Sequence, residues 1–389
     1  MPRHGTTSLG ILPVGALGVA FYFHLSAGQP EVQEHIVFLS RRAGAGNGRW
    51  RDESSLAIET PGGLRNIPLV GKIAGSLPDA ASSRRMPKIV LVCTNPDQLF
   101  DVISDYVAAV ELEHRAGRLR DGAARLPLLV LCANGIYFQR IRSSFIELLE
   151  ESTLLGRLPD LWPDVMPVVV GKLMRGVTIQ TSLRSGSGSA AVYRPGPPGR
   201  TLLTGGDRAA RASAARNLTD CGGWFEDAGD SLPTRIEFDK ALVNLAINAF
   251  GQLEAIDKQG NFRLLTVGEI GRPERHGRIL ELVEAVMHVG RGVGIYGADE
   301  SPKAVFDETI NWMAPAAHHV PSSLQWLQQS ISDGTLGPGL TPTEKWLLEP
   351  LQHYARSLGD SHAITYFESL EGELNAAIER AISAQRTPV

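Results

Sequence analysis

An α/β N-terminal half followed by an all-α C-terminal half is the fold class that this 389-residue sequence predicts. Three observations carry the prediction. Short apolar runs alternate with helical periodicity from residue 8 to about 151. Short β-rich segments separated by Gly, Ser and Pro follow from 166, and after about 207 only helical periodicity remains. The length exceeds what one hydrophobic core usually serves, so two domains are expected, 1–215 and 216–389. Gly222, Gly223, Gly229 and Pro233 interrupt periodicity around that boundary.

In chain order, SLGILPV (8–14) reads as a strand, 16–27 as an apolar helix and HIVFLS (35–40) as a second strand, a βαβ opening. The Gly-, Arg- and Ser-rich stretch 43–66 reads as a loop with one short strand near Leu56. KIVLVC (88–93) and LPLLVLC (126–132) are continuous apolar runs, as expected of strands buried on both faces of a parallel sheet. Helical periodicity covers 97–118 and 138–151. PVVVGKL, GVTIQTSL, SAAVYRP and RTLLTG read as the far, partly antiparallel half of the same sheet, with RSGSGS a loop and RPGPPGR a turn. Segments 234–257, 273–290, 302–315, 322–332, 342–358 and 361–384 read as helices, with no strand among them.

With 43% hydrophobic and 21% charged residues the composition is that of a globular protein. A net charge of -4 with dispersed Lys and Arg argues against a nucleic-acid partner, which needs a concentrated basic surface. Cys93, Cys132 and Cys221 are too few and too scattered for a disulfide framework or thiolate metal site, which fits a cytoplasmic protein. His318 and His319 lack paired ligands at metal spacing, so no metal is expected. The apolar run Leu9–Leu25 after Arg3 and His4 has a secretory-signal alternative, but it contains GALG and leads into a second strand at βαβ spacing. No stretch reaches the ~20 apolar residues needed to cross a bilayer.

Between the first strand and helix lies Pro13, Val14, Gly15, Ala16, Leu17, Gly18. Gly15 and Gly18 occupy the second and third positions of the G-x-G-x-x-G turn, which lets backbone N–H groups approach a pyrophosphate, and Pro13 stands where the first glycine is expected. This makes the first domain a Rossmann-type dinucleotide-binding domain. The second strand ends in Ser40, Arg41, Arg42 and not in the acid that accepts a ribose 2′-hydroxyl. Arginine suits a 2′-phosphate, so the expected cofactor is NADP(H). The alternative is that both arginines open a solvated loop.

The segment IEFDKALVNLAINAFGQLEAI places Lys240, Asn244 and Asn248 at i, i+4, i+8, within about 80° of one helix face. Phe238, Leu242, Val243, Leu245, Ile247 and Phe250 surround them, so the helix reads as buried, and buried polar groups require partners. Either the lysine reaches solvent and the asparagines bond loops, or the three form a functional stripe. A placed ammonium can stabilise and protonate the oxygen on which charge develops when hydride reaches a ketone.

With LPVGALG, FLSRR, LLVLCANG and DKALVNLAIN in view, the chain resembles ketopantoate reductase (2-dehydropantoate 2-reductase) over most of its length. That resemblance implies an NADPH-dependent reductase of a small 2-oxo acid, with its active site in the cleft between a dinucleotide-binding and a helical domain. It implies Lys240 as general acid, Asn244 and Asn248 as substrate-binding residues, and Asn134 beside nicotinamide and substrate. PSSLQWL and PTEKWLLEPLQHYARSLG look like the family's serine and glutamate elements, which implies Ser322 or Ser323 on the substrate carboxylate and Glu344 holding Lys240 or the substrate hydroxyl. Without the family, Glu344 is a carboxylate favoured by a helix N-terminus. Pro13, and Thr94 within CTNP where the family carries a lysine, mark a divergent relative and keep two further readings open. These are an opine-type or other 2-hydroxy-acid dehydrogenase, and a catalytically silent NADP-binding protein. The expected partner is a small-molecule 2-oxo acid, with neither nucleic acid nor membrane, and a homodimer is left open.

Overall fold

The computed structural model describes residues 8–27, 30–40, 55–119, 126–159, 165–186 and 190–386. Arg41 and the residues that follow it as far as 54 lie outside these. The chain divides into two compact units, Met1–Ala133 with Tyr137–Pro233, and Asn134–Ile136 with Thr234–Val389.

In the first unit, β1 (Leu9–Leu12), α1 (Ala16–Ala27), the short α2 (Pro30–Glu34) and β2 (Ile36–Phe38) make the expected βαβ opening. β3 (Ser55–Thr60) and β4 (Gly63–Pro68) form a hairpin, followed by α3 (Leu77–Ser82), β5 (Ile89–Val92), α4 (Leu99–Arg115), β6 (Leu128–Leu131) and α5 (Phe138–Leu154). Next come α6 (Met166–Val170), β7 (Leu173–Thr178), β8 (Ser182–Ser185), β9 (Val192–Pro195), β10 (Thr201–Thr204), α7 (Arg208–Asp220) and β11 (Phe225–Asp227). A seven-stranded sheet runs β11-β10-β7-β6-β5-β1-β2, parallel from β7 to β2, with β10 antiparallel to β7.

The apolar runs of β5 and β6 are buried on both faces, as their sequences predict. Val90, Val92, Leu129 and Leu131 pack into one core with α3, α4 and α5, while Ile89, Leu91 and Val130 pack into the other with α1 and α7. Alternation by one residue across the pleat separates the two cores. The strand order reverses direction at β1, so the carboxyl ends of β1 and β5 flank the crevice where such sheets bind ligands.

Three sequence readings are corrected in this unit. PVVVGKL begins as helix α6, not as a strand: Pro167 stands in its first turn, where proline's missing N–H costs nothing. β8 and β9 do not extend the main sheet; with β3 and β4 they form a second sheet, ordered β4-β3-β9-β8. Leu56, Ile58 and Tyr193 of that sheet pack with Phe21, Tyr22 and Leu25 of α1. Finally, β11 is a strand after residue 207. Its pairing with β10 holds the chain in the first unit as far as Pro233, and a boundary at 215 falls inside α7.

The second unit is helical: α8 (Pro233–Ala255), α9 (Val267–Ile270), α10 (His276–Gly292), α11 (Pro302–Met313), α12 (Ser322–Ser332), α13 (Pro342–Leu358) and α14 (Ser361–Arg386). Its core surrounds α8, whose apolar residues are buried around most of its circumference. None of the described helices is long and apolar enough to cross a membrane.

Candidate functional site

The turn after β1 has the features that close approach to a phosphate requires. A Cβ on Gly18 would lie 2.6 Å from the Pro13 carbonyl oxygen and 2.9 Å from Ile11 Cγ2, so only glycine lets α1 pack this tightly on the strand. A Cβ on Gly15 would meet nothing within 4 Å, leaving open space beside the backbone. Ala16, Leu17 and Gly18 begin α1, and the first amides of a helix have no partner within it. Pro13 follows Leu12 through a cis peptide bond. Ser40 ends the second strand's path, its N–H donating to the Gly75 carbonyl at 2.7 Å. Thr94 is buried beyond β5, its hydroxyl donating to the Asn95 carbonyl at 3.1 Å.

Asn134 follows β6 and is exposed. Gly135 beside it has φ +127°, a conformation that favours glycine and explains the Asn-Gly pair. The strand end leading to Asn134 is fastened by a residue that sequence reading missed. Arg175 of β7 is buried and donates to the carbonyls of Leu131 at 2.7 Å and Ala133 at 2.9 Å, with its guanidinium 4.5 Å from the Tyr137 ring centre. An arginine inside the otherwise apolar LMRGVT was the available signal.

In the second unit, Lys240, Asn244 and Asn248 lie on one face of α8 as their spacing predicts. Lys240 is partly buried and has no ion pair or hydrogen bond among the described residues. Burial lowers its ammonium from 10.5 to about 8. The adjacent carboxylate is committed elsewhere: Asp239 is held by Arg235 at 2.9 Å and accepts from the Tyr296 hydroxyl at 2.9 Å. Arg235 also binds Glu300 at 2.9 Å. Asn244 is buried. Asn248 accepts at Oδ1 from the Ser323 hydroxyl, at 2.8 Å, which fixes its amide and leaves Nδ2 as a donor. Ser322 opens α12 beside it.

Glu344, in the first turn of α13, is fully buried, and neither carboxylate oxygen has a hydrogen-bond partner among the described residues. Burial raises it from 4.5 to about 7. It forms no ion pair with Lys240. Gln252 extends the polar stripe by a further four residues and is itself buried, its Nε2 without a partner. The i+4 rhythm from Lys240 through Asn248 pointed to Gln252, but the sequence reading stopped one step short.

No protein-family model and no curated protein matches this sequence. Solved structures match over nearly the whole chain. D-mandelate dehydrogenase, in its ternary structure with NADH and anilino(oxo)acetate, aligns with a TM-score of 0.62 at 14% identity, covering 96% of this chain and 98% of that one. A dimeric ketopantoate reductase from Staphylococcus aureus aligns at 0.57 and 14% identity, covering 96% and 99%. A ketopantoate reductase from Ralstonia eutropha aligns at 0.54 and 15%, covering 96% and 99%. The chain therefore has the fold of the ketopantoate reductases and D-mandelate dehydrogenase, a Rossmann-type α/β unit and a helical unit.

Proposed function

We propose that this protein is an NADPH-dependent reductase of a small 2-oxo acid, with Lys240 as its general acid. One observation carries the reading: a partly buried, unpaired ammonium shares a helix face with two asparagines, one of them locked by a serine. An unpaired charge is costly where water is scarce, so its place is best explained by a ligand that completes it.

The amides at the start of α1 and the open space at Gly15 fit the pyrophosphate of a dinucleotide, and Thr94 and Asn134 follow neighbouring strands of the same sheet. Arg41 is assigned to the 2′-phosphate, which makes NADPH the preferred form. A nicotinamide dinucleotide held by these residues would supply the hydride for the ketone carbon. Lys240 stabilises the charge growing on the ketone oxygen and delivers its own proton to it, giving the 2-hydroxy acid. With its pKa near 8, the ammonium is mostly charged at neutral pH yet gives up its proton readily. Asn248, aimed by Ser323, donates from Nδ2 to a substrate oxygen; Asn244 binds alongside it and Ser322 takes the carboxylate. Glu344, half-ionised near neutrality, and Gln252 form the polar end of the stripe.

Support for a 2-oxo or 2-hydroxy acid also comes from the fold. The S. aureus and R. eutropha proteins are ketopantoate reductases, and the D-mandelate dehydrogenase structure holds NADH and anilino(oxo)acetate. A homodimer is part of the proposal, since the S. aureus protein is described as dimeric. The test is to titrate the purified chain with NADPH, add a panel of 2-oxo acids including ketopantoate and phenylglyoxylate, and follow loss of nicotinamide absorbance. Turnover that disappears in Lys240→Ala is expected. Cofactor binding without turnover of any panel member would sink the reading.

A further inference from the structure

A second feature lies wholly within the first unit, at the amino-terminal ends of the parallel strands and away from the glycine turn. Ser8 before β1, Lys88 before β5, Leu128 opening β6 and Lys172 before β7 line a cleft of about 760 Å³. We infer that this cleft binds a small organic phosphate, its dianion held by Arg84, Lys88 and Lys172 and its apolar body resting on Ile89, Leu126 and Ala214.

The charge balance of the cleft favours an anion. Arg84, Lys88 and Lys172 all line it, and none forms an ion pair among the described residues. The carboxylate in the wall, Glu113, is already neutralised: Arg118 grips both its oxygens at 2.7 Å. Asp207, whose field reaches Lys172, is occupied in capping α7, accepting from the Ala210 N–H at 2.8 Å. Three uncommitted cations around one concavity are a local excess in a chain of net charge -4.

The geometry of the wall sets the ligand's shape. Arg84 and Lys88 are exposed at the rim, Lys172 is half-buried, and the floor residues Ile89, Leu126 and Ala214 are buried and apolar. Inorganic phosphate would leave that floor uncovered. Ser213 and Asn217, one turn apart on α7, line the same cleft and offer hydrogen bonds to polar groups on the ligand's body. Arg84 is also the one non-glycine residue with positive φ among the described residues, at 58°. That conformation belongs to the cap of α3, where the Arg84 and Arg85 N–H groups donate to the Ala81 and Ala80 carbonyls at 3.2 and 2.8 Å, and it sets the backbone from which the Arg84 side chain leaves at the rim.

The inference stands apart from the proposed reductase activity, and so does its test. The full chain is titrated calorimetrically with phenyl phosphate, and in parallel with inorganic phosphate, benzoate and phenol, with and without saturating NADPH. Phenyl phosphate is expected to bind at one site, more tightly than the other three probes, unaffected by NADPH and weakened by salt. Affinity should fall at least about tenfold in Lys172→Gln and in the double variant Arg84→Gln, Lys88→Gln, with circular dichroism unchanged. Should Lys172→Gln fail to fold, the exposed Arg84 and Lys88 pair decides the matter. Absence of phenyl phosphate binding, displacement by NADPH, equal binding of benzoate, or unchanged affinity in the double variant would each overturn the inference.

Discussion

Burial shifts the proton equilibria of Lys240 and Glu344 in opposite directions. Lys240 loses hydration without gaining a partner, which brings its ammonium down to about 8. Lys240→Ala should lower the kcat of reduction by about 10² to 10⁴ while leaving NADPH affinity unchanged, as stopped-flow and binding measurements can separate. The rate of reduction should also fall as pH rises through about 8, where the acid form is lost. Flat behaviour from pH 7 to 10 would count against the lysine's role. Glu344 works in the opposite sense. Its proton is retained in the folded state between 4.5 and about 7, where the unfolded chain has already lost it, so its contribution to stability falls as pH rises across that window and is level above it. Glu344→Gln should therefore remove this slope and stabilise the fold above pH 7 by about 1 to 3 kcal/mol, read from denaturant unfolding at pH 5 and 8.

At the scale of elements, the β1–α1 turn and the α8–α12 pairing make separate demands. Gly18→Ala places a methyl 2.6 Å from a carbonyl oxygen, and the backbone must shift to admit it. A loss of about 1 to 3 kcal/mol in stability together with weaker NADPH binding is expected. Gly15→Ala meets open space, so it should fold normally and weaken NADPH alone; a normal cofactor affinity in that variant would remove the turn from the cofactor site. Ser323→Ala frees the Asn248 amide to rotate. Its kcat/KM should drop about five- to tenfold, on the order of 1 kcal/mol, with NADPH binding intact.

At the scale of the whole molecule, cofactor binding should be coupled to stability. A ligand at 100 times its Kd stabilises the native state by about 2.7 kcal/mol, so NADPH should raise Tm, and NADH should do so less at equal concentration. Equal shifts with both cofactors would remove Arg41 from its assigned part. The split sheet has a counterpart at this scale: β3, β4, β8 and β9 come from distant stretches of chain yet form one small sheet over α1.

The sequence by itself determined the α/β-then-helical order, α1 to its bounds, the buried parallel strands and the alignment of Lys240, Asn244 and Asn248. Each follows from a local period, 2.0 or 3.6 residues, or from a continuous apolar run, and such signals are complete within one element. Only the tertiary structure decided that β8 and β9 leave the main sheet, that β11 pairs with β10, and that PVVV turns as a helix. Strand pairing depends on which distant segment arrives alongside, and short β-branched runs fit either conformation until packing selects one. The same holds for function. Spacing placed a lysine on a polar stripe, but its lack of a partner, the Ser323 lock on Asn248, the Arg175 clamp behind Asn134 and the orphaned Glu344 carboxylate are properties of burial, which no window of sequence contains.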